Sequence, residues 1–181
     1  MTSEAGLKLL ARVRPAAAGD EEGLALVGRA TFLETFAGVL DADAVLEHCA
    51  GQHAPEVYAT WLAEGRSRLW LAEADRGGAP VGYAVLGPAD LPRPLPSPAD
   101  AELKRIYLLG RWQGAGLGRH LLESAVSAAR DNGYARLLLG VYAGNTAAIG
   151  FYRRMGLAIV GERRFTVGPR TYDDLVLALP L

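Results

Sequence analysis

The stretch Arg111-Trp112-Gln113-Gly114-Ala115-Gly116-Leu117-Gly118-Arg119 carries the clearest chemistry in the chain. Three glycines at a spacing of two let the backbone approach a ligand with no Cβ in the way. A strand pattern precedes them, and Leu117, Leu121, Leu122, Ala125, Ala128 and Ala129 repeat with helical period after them. The first amides of such a helix have no intrahelical partner and point outward. Loop and helix start together make a cradle for phosphate oxygens, to which Arg111 and Arg119 could add charge. A tight turn packed against a sheet would use the same glycines. A Walker-type loop does not fit, because Gly118 is followed by Arg119-His120 rather than Lys-Ser/Thr. A dinucleotide loop needs a carboxylate at the end of the next strand, and Leu137 to Tyr142 offers none.

The elements that must position this turn follow from the pattern of the chain. Leu7 to Val13 reads as a first strand closed by Pro15. Asp20, Glu21 and Glu22 open a helix at its acid-favouring end. It carries Leu24, Val27, Thr31, Phe32, Leu33, Thr35 and Phe36 and stops near Gly38. Asp41 or Asp43 starts a shorter helix through Cys49; a third starts at Pro55, bears Tyr58 and Trp61, and ends by Gly65. Arg68 to Ala74 and Pro80 to Leu86 form an antiparallel hairpin. Five prolines between Pro88 and Pro98 make residues 88–100 a loop rather than a central strand. Glu102 to Leu109 is a strand leading into the glycine turn, and Asn132-Gly133 stops the helix after it. Leu137 to Tyr142 is apolar on both faces, as in a sheet interior. A short helix follows Asn145. Leu157 to Gly161 with Phe165 to Val167, and then Tyr172 to Leu179, close the chain as strands around a tip at Gly168 and Pro169. The class is α/β, one mixed sheet covered by helices.

The chain has 181 residues, which suits one domain spanning 1–181. Half the residues are hydrophobic and 22% are charged, a folded composition that excludes disorder as the main state. The net charge of −1 argues against a nucleic-acid partner. Arg153-Arg154 and Arg163-Arg164 read as solvated faces. A lone cysteine, Cys49, and no signal peptide point to a reducing cytoplasm. No apolar run approaches the roughly 20 residues of a membrane helix, so no membrane partner is expected. His48, His53 and His120 are too scattered to suggest a metal, and none is expected.

Gln113, Gly116 and Gly118 reproduce the Gln/Arg-x-x-Gly-x-Gly/Ala pyrophosphate signature of the GNAT superfamily of N-acetyltransferases, placed after a strand and opening a helix. A second landmark, an asparagine before a short helix, then Phe-Tyr, then Gly-Phe, stands here as Asn145, Phe151, Tyr152, Gly156 and Leu157. Over residues 100 to 160 the order and spacing of both resemble that superfamily. Thr31-Phe32-Leu33-Glu34-Thr35-Phe36, Arg105-Ile106-Tyr107, Leu139-Gly140-Val141-Tyr142 and Phe165-Thr166-Val167-Gly168 resemble its bacterial polyamine (spermidine/spermine) acetyltransferase-like branch. That branch often carries Trp-Glu before the asparagine, where this chain has Ala143-Gly144.

The resemblance implies a GNAT fold: a mostly antiparallel sheet of six to seven strands, helices on both faces, and central strands splayed around acyl-CoA. It implies acetyl-CoA as cofactor, held by Tyr107, Leu108 and Leu109, by Gln113, Gly114, Ala115, Gly116, Leu117, Gly118 and Arg119, and by Asn145 and Tyr152. Residues 110–119 become the pyrophosphate loop and 88–100 an acceptor-side loop. Tyr152 becomes the general acid, a phenol suited to protonating a departing thiolate. Glu102 becomes the leading base, with Glu34 and Glu73 behind it. Thr31, Phe32, Thr35, Phe36, Tyr107 and Tyr142 would shape the acceptor pocket.

The function expected is acetyl transfer to a primary amine of a small, polyamine-like molecule or a peptide, by direct attack in a ternary complex. Two other readings stay open: a non-catalytic acyl-CoA-binding regulatory module, and a protein N-terminal or ribosomal-protein acetyltransferase. The pattern also leaves room for a homodimer through helices or the final strands.

Overall fold

The structure, a computed structural model, describes residues 10–92, 96–167 and 170–181. Among them seven strands form one sheet: β1 (Ala11–Pro15), β2 (Arg68–Ala74), β3 (Pro80–Pro88), β4 (Asp100–Leu108), β5 (Arg136–Tyr142), β6 (Ala158–Val167) and β7 (Arg170–Pro180). Their order is β1-β2-β3-β4-β5-β7-β6. The β4–β5 pair is parallel and all other neighbours are antiparallel. The helices are α1 (Glu21–Phe36), α2 (Ala42–Gln52), α3 (Pro55–Glu64), α4 (Leu117–Asp131) and α5 (Thr146–Arg154). This is the expected mixed α/β sheet.

Alternation along the strands sorts the core into two layers. Leu69, Leu71, Tyr83 and Val85 pack with Leu24 and Val27 of α1 and Tyr58 of α3. Trp70, Ala72, Ala84 and Leu86 pack on the opposite face with Leu117, Leu121, Leu122, Ala125 and Ala129 of α4. Each such leucine contributes about 1.5–3 kcal/mol relative to an exposed one. A third cluster of Phe32, Leu40, Ala44, Val45 and Val167 joins α1 and α2 to β6.

Two sequence expectations shift. The first strand runs Ala11–Pro15 rather than from Leu7 to Val13, and residues 7–9 lie outside the described residues. Pro15 is its last member, tolerated because β1 is an edge strand. The two strand pieces after Gly156 are one strand, β6. Its charged middle stays in the ladder because an edge strand buries one side only, and because Asp174 of β7 accepts from Arg163 Nε at 3.0 Å. The expected hairpin tip at Gly168 and Pro169 lies outside the described residues.

The parallel β4–β5 ladder is short. It pairs Asp100 with Arg136, Ala101 with Leu137 and Glu102 with Leu138, and then the strands part. At the closed end, buried Asp100 accepts from Arg136 Nε at 2.9 Å and Nη2 at 2.7 Å. Bonding to Arg136 holds the Asp100 carboxyl below its usual range. A depressed carboxylate stabilises the fold above the unfolded value of about 3.9 and loses that contribution as pH falls through the folded value. Asp100→Asn is expected to cost about 1–3 kcal/mol at neutral pH, and less in acid. Urea midpoints of both proteins at neutral pH and well below the carboxylate range check this. A gap that does not narrow in acid contradicts it.

Candidate active site

Where β4 and β5 part, a cleft of about 780 Å³ passes into the sheet. Leu103 to Leu108 of β4 and Leu139 to Tyr142 of β5 line it, and Glu102 sits at the fork. Beyond Leu108 the chain turns through Gly110–Trp112 and enters α4. Trp112 is buried in the α4-side core and pins the turn. Gln113 Nε2 donates to Leu108 O at 3.1 Å, and Glu34 of α1 accepts from Gly110 N at 2.8 Å.

Gly116 stands at the start of α4 with φ 87°, a left-handed conformation that favours glycine. The first bond into the helix runs from His120 N to Gly116 O at 3.0 Å. Among the described residues nothing accepts from the amides of residues 114–119. An ideal Cβ at Gly114 or Gly116 would meet no protein atom within 4 Å. The loop is therefore an open rim of donors at a helix N-terminus, not a turn closed on the sheet. Such a rim fits a diphosphate.

The cleft brings together most of the residues singled out in the sequence. Gln113, Gly114, Gly116, Gly118, Arg119, Asn145, Tyr152, Tyr107 and Leu108 line it, as do Glu102, Phe32, Thr35, Phe36 and Tyr142. Asn145 Oδ1 caps α5 by accepting from Ala148 N at 3.1 Å. Tyr152 lies on α5; burial, then Tyr107, push its phenol well above the ordinary value. Burial, then Asp90, raise the Glu102 carboxyl. Glu102 also accepts from Asp90 N at 3.0 Å, and Lys104 Nζ reaches Asp90 at 2.8 Å. Residues 88–92 of the proline-rich loop thus touch the site through Asp90; residues 93–95 lie outside the described residues.

Four expectations are corrected. Thr31 is buried, and its hydroxyl donates back to Val27 O at 2.7 Å, so it packs α1 instead of facing the cleft. Leu109 is outside the lining, with its amide donating to Val81 O at 2.9 Å. The side chains of Ala115 and Leu117 point away from the lining, Leu117 into the core, while their amides stay on the open rim. Glu73 is held by Arg12 and Arg14 at the β1–β2 edge, far from base chemistry. Arg163 is not solvated: it lies over Gly140 in the cleft and pairs with Asp174.

Several site residues had no local signal. Arg105 on β4 donates through Nη1 to Tyr58 OH at 2.8 Å, and its guanidinium lies 4.7 Å from the Trp61 ring centroid. Tyr58 OH is 2.7 Å from His53 Nδ1. Arg105 Nη1 also lies 3.4 Å from His53 Nδ1; since Arg105 can only donate, Nδ1 is an acceptor, which places the imidazole proton on Nε2 and lets Tyr58 donate to Nδ1. His48 stacks on Phe32 with centroids 4.0 Å apart and lies 5.5 Å from His53. Gly28 of α1 makes room for this group, because a Cβ there would strike His53 and Tyr58. Among the described residues no cluster of ligating side chains could hold a metal.

A cleft through a parted sheet, with an anion-binding rim at one end and an aromatic wall at the other, defines a group-transfer enzyme for a phosphate-bearing donor. Residues 36–157 match the model of the acetyltransferase (GNAT) family. The chain belongs to that family and is a GNAT-type acetyltransferase, an enzyme class that draws its acetyl group from acetyl-CoA. It is 33% identical over 124 residues to an uncharacterized N-acetyltransferase of Mycobacterium tuberculosis, covering 68% of this chain and 74% of the relative. It is 32% identical over 92 residues to the L-methionine sulfoximine/L-methionine sulfone acetyltransferase of Pseudomonas aeruginosa, covering 51% of this chain and 52% of that one. The fold matches the crystal structure of PaiA N-acetyltransferase from Thermoplasma acidophilum in complex with coenzyme A, with TM-score 0.77 and 20% identity over 96% of this chain and 100% of that one. Among the described residues no helix is long and apolar enough to cross a membrane.

Burial, then Arg105, lower His48 to about 4; burial, then Arg105 and His48, lower His53 to about 3. Both rings are neutral at neutral pH. The folded values lie below the unfolded value of about 6.5, so these histidines favour folding above it and oppose folding as pH falls toward their folded values. Ring proton shifts of both residues are expected to stay flat from about pH 8 to about pH 5. Titration of either near its ordinary value would contradict the buried geometry.

Proposed function

We propose that the protein moves an acetyl group from acetyl-CoA to a primary amine of a small molecule or peptide by direct attack in a ternary complex. One observation carries the reading: the β4–β5 ladder ends at Glu102–Leu138, and the cleft beyond it joins the donor rim of residues 113–119 to the aromatic wall of α1. The amides from Gly114 to Arg119 hold the diphosphate. Gln113 fixes the start of that loop through its bond to Leu108 O. Backbone of β4 near Tyr107 and Leu108 that faces the cleft, with the NH2 of Asn145, takes the pantetheine arm.

Tyr152 supplies the proton for the departing sulfur. Its raised value keeps the phenol protonated across the neutral range, so it enters each turnover with that proton. Glu102 takes the proton of the attacking amine, directly or through water. Its raised carboxyl titrates closer to the working range than an exposed glutamate would. Phe32, Thr35, Phe36 and Tyr142 hold the acceptor in line, and such positioning alone lowers the barrier substantially. A polyamine-like amine is the acceptor to which the branch resemblance points. A peptide N-terminus is the second reading, and the cleft's volume of about 780 Å³ leaves room for one.

Tyr152→Phe is expected to lower kcat by about 10²- to 10⁴-fold while acetyl-CoA affinity stays unchanged. Stopped turnover assays and calorimetry read the two separately. No turnover in the unaltered protein with any amine, alongside tight acyl-CoA binding, would support a regulatory module instead. Gly116→Ala adds a Cβ at a left-handed φ on the donor rim and is expected to weaken acetyl-CoA binding by about tenfold or more, about 1.4 kcal/mol. Unchanged affinity there would remove the rim from the reading.

A further inference from the structure

Of the charges that line the cleft, Arg105 and Arg154 stand without an ion pair among the described residues, and Arg105 is the one that lies against the α3 aromatics. Asp90 and Glu102 share Lys104. Asp174 holds Arg163. Arg105 lines the same cleft, yet among the described residues no carboxylate lies within ion-pair distance of it. Its Nη1 donates to Tyr58 OH and lies 3.4 Å from His53 Nδ1, while among the described residues Nε and Nη2 have no acceptor. The guanidinium carbon lies over Trp61 and Tyr58, at 4.7 and 5.3 Å from their ring centroids. His53 and His48 beside it are neutral, so the charge is not shared with acids or offset by them.

A β-bulge aims this side chain. Arg105 pairs with Val85 and Leu103 with Leu86, so Lys104 is the extra residue in β4. In an unbulged strand that kept Lys104, residues 103 and 105 would point to one face. With the bulge, Leu103, Ile106 and Leu108 join the α4-side core, while Arg105 stands on the other face with Tyr58 and Trp61. The strand is irregular at the one place that puts a lone cation into the acceptor half of the cleft.

We infer that Arg105 binds a carboxylate of the acceptor, so that the enzyme acetylates free amino acids with apolar side chains. A preorganised guanidinium with two donors on one edge fits a carboxylate bidentately. Phe32, Phe36 and Trp61 supply apolar walls for the side chain. The inference rests on the transferase reading above. The step is unchanged in kind: the amine nitrogen forms the new C–N bond, the thioester C–S bond breaks, the amine yields a proton, and the thiolate gains one. A polyamine offers Arg105 only further positive charge.

The test compares leucine and methionine with their amides, and with spermidine, on the unaltered protein, on Arg105→Gln and on Arg105→Lys. Free acids are expected to exceed their amides by about 10- to 100-fold in kcat/KM. Arg105→Gln should raise KM for the acids by a similar factor, leave kcat within about threefold, and leave the amides unaffected. Arg105→Lys should retain part of the preference. Amides or spermidine used as well as the acids, or no acid acetylated, overturns the inference. So does a loss in Arg105→Gln that is equal for acids and amides, which would make Arg105 a prop for Tyr58. The acid-to-amide comparison needs no variant, so misfolding of a variant does not remove the test. Calorimetry with acetyl-CoA separates the two readings. Donor binding and spermidine acetylation without acid acetylation sinks this inference alone, whereas no donor binding sinks the transferase proposal with it.

Discussion

The parting of β4 from β5 is the constraint on which the rest depends. A backbone group without a partner is costly when buried, so two neighbouring strands do not separate unless something else holds them. Here each has a full antiparallel neighbour on its outer side, β3 along β4 and β7 along β5. The inner edges can then diverge without loosening either outer ladder. The Asp100–Arg136 pair closes the base of the fork. At the other end Trp112 and the Glu34–Gly110 bond hold the turn in place. The open backbone between is a ready surface for an extended ligand with amide groups.

Electrostatics divides the cleft. The rim at α4 is positive through aligned amides and the helix dipole, which suits phosphate. The interior around Glu102 and Tyr152 is dry enough to raise both groups, and a low local dielectric strengthens every interaction made there. The aromatic group of Tyr58, Trp61, His53 and Phe32 holds neutral histidines around a single guanidinium. Three neighbouring zones thus present backbone donors, proton-exchanging side chains and a fixed cation.

Much of this was legible in the sequence where the signal is local. Glycine spacing, the helix after it, and Asn145 before Phe151-Tyr152 report on their own segments, and the structure places all of them on the cleft. Pro55 and Gly65 bound α3 as their backbone preferences require. Arg105 was legible only as one charged residue in a strand, because Tyr58 is 47 positions away and the bulge that turns Arg105 leaves no composition mark. His48 and His53 look poorly spaced on a helix, yet His53 is already past the end of α2, where the chain bends back. Thr31 shares a face with true lining residues, and periodicity gives direction around a helix but not depth. Arg163 reads as part of a basic pair until the strand order sets Asp174 beside it.

The extra residue in β4 also sets a rule for anyone reshaping this protein. Strand parity downstream of Lys104 is inverted relative to the residues before it. Deleting Lys104 would remove the bulge and leave Arg105 opposite Val85, whereas straightening the strand with Lys104 retained would set Lys104 opposite Val85 and swap inside for outside as far as the glycine turn. Ile106 and Leu108 would face the acceptor, and a guanidinium would be driven into the leucine layer under α4. Loop grafts and chimeras that cross this strand must therefore count residues by their alternation and not by sequence length.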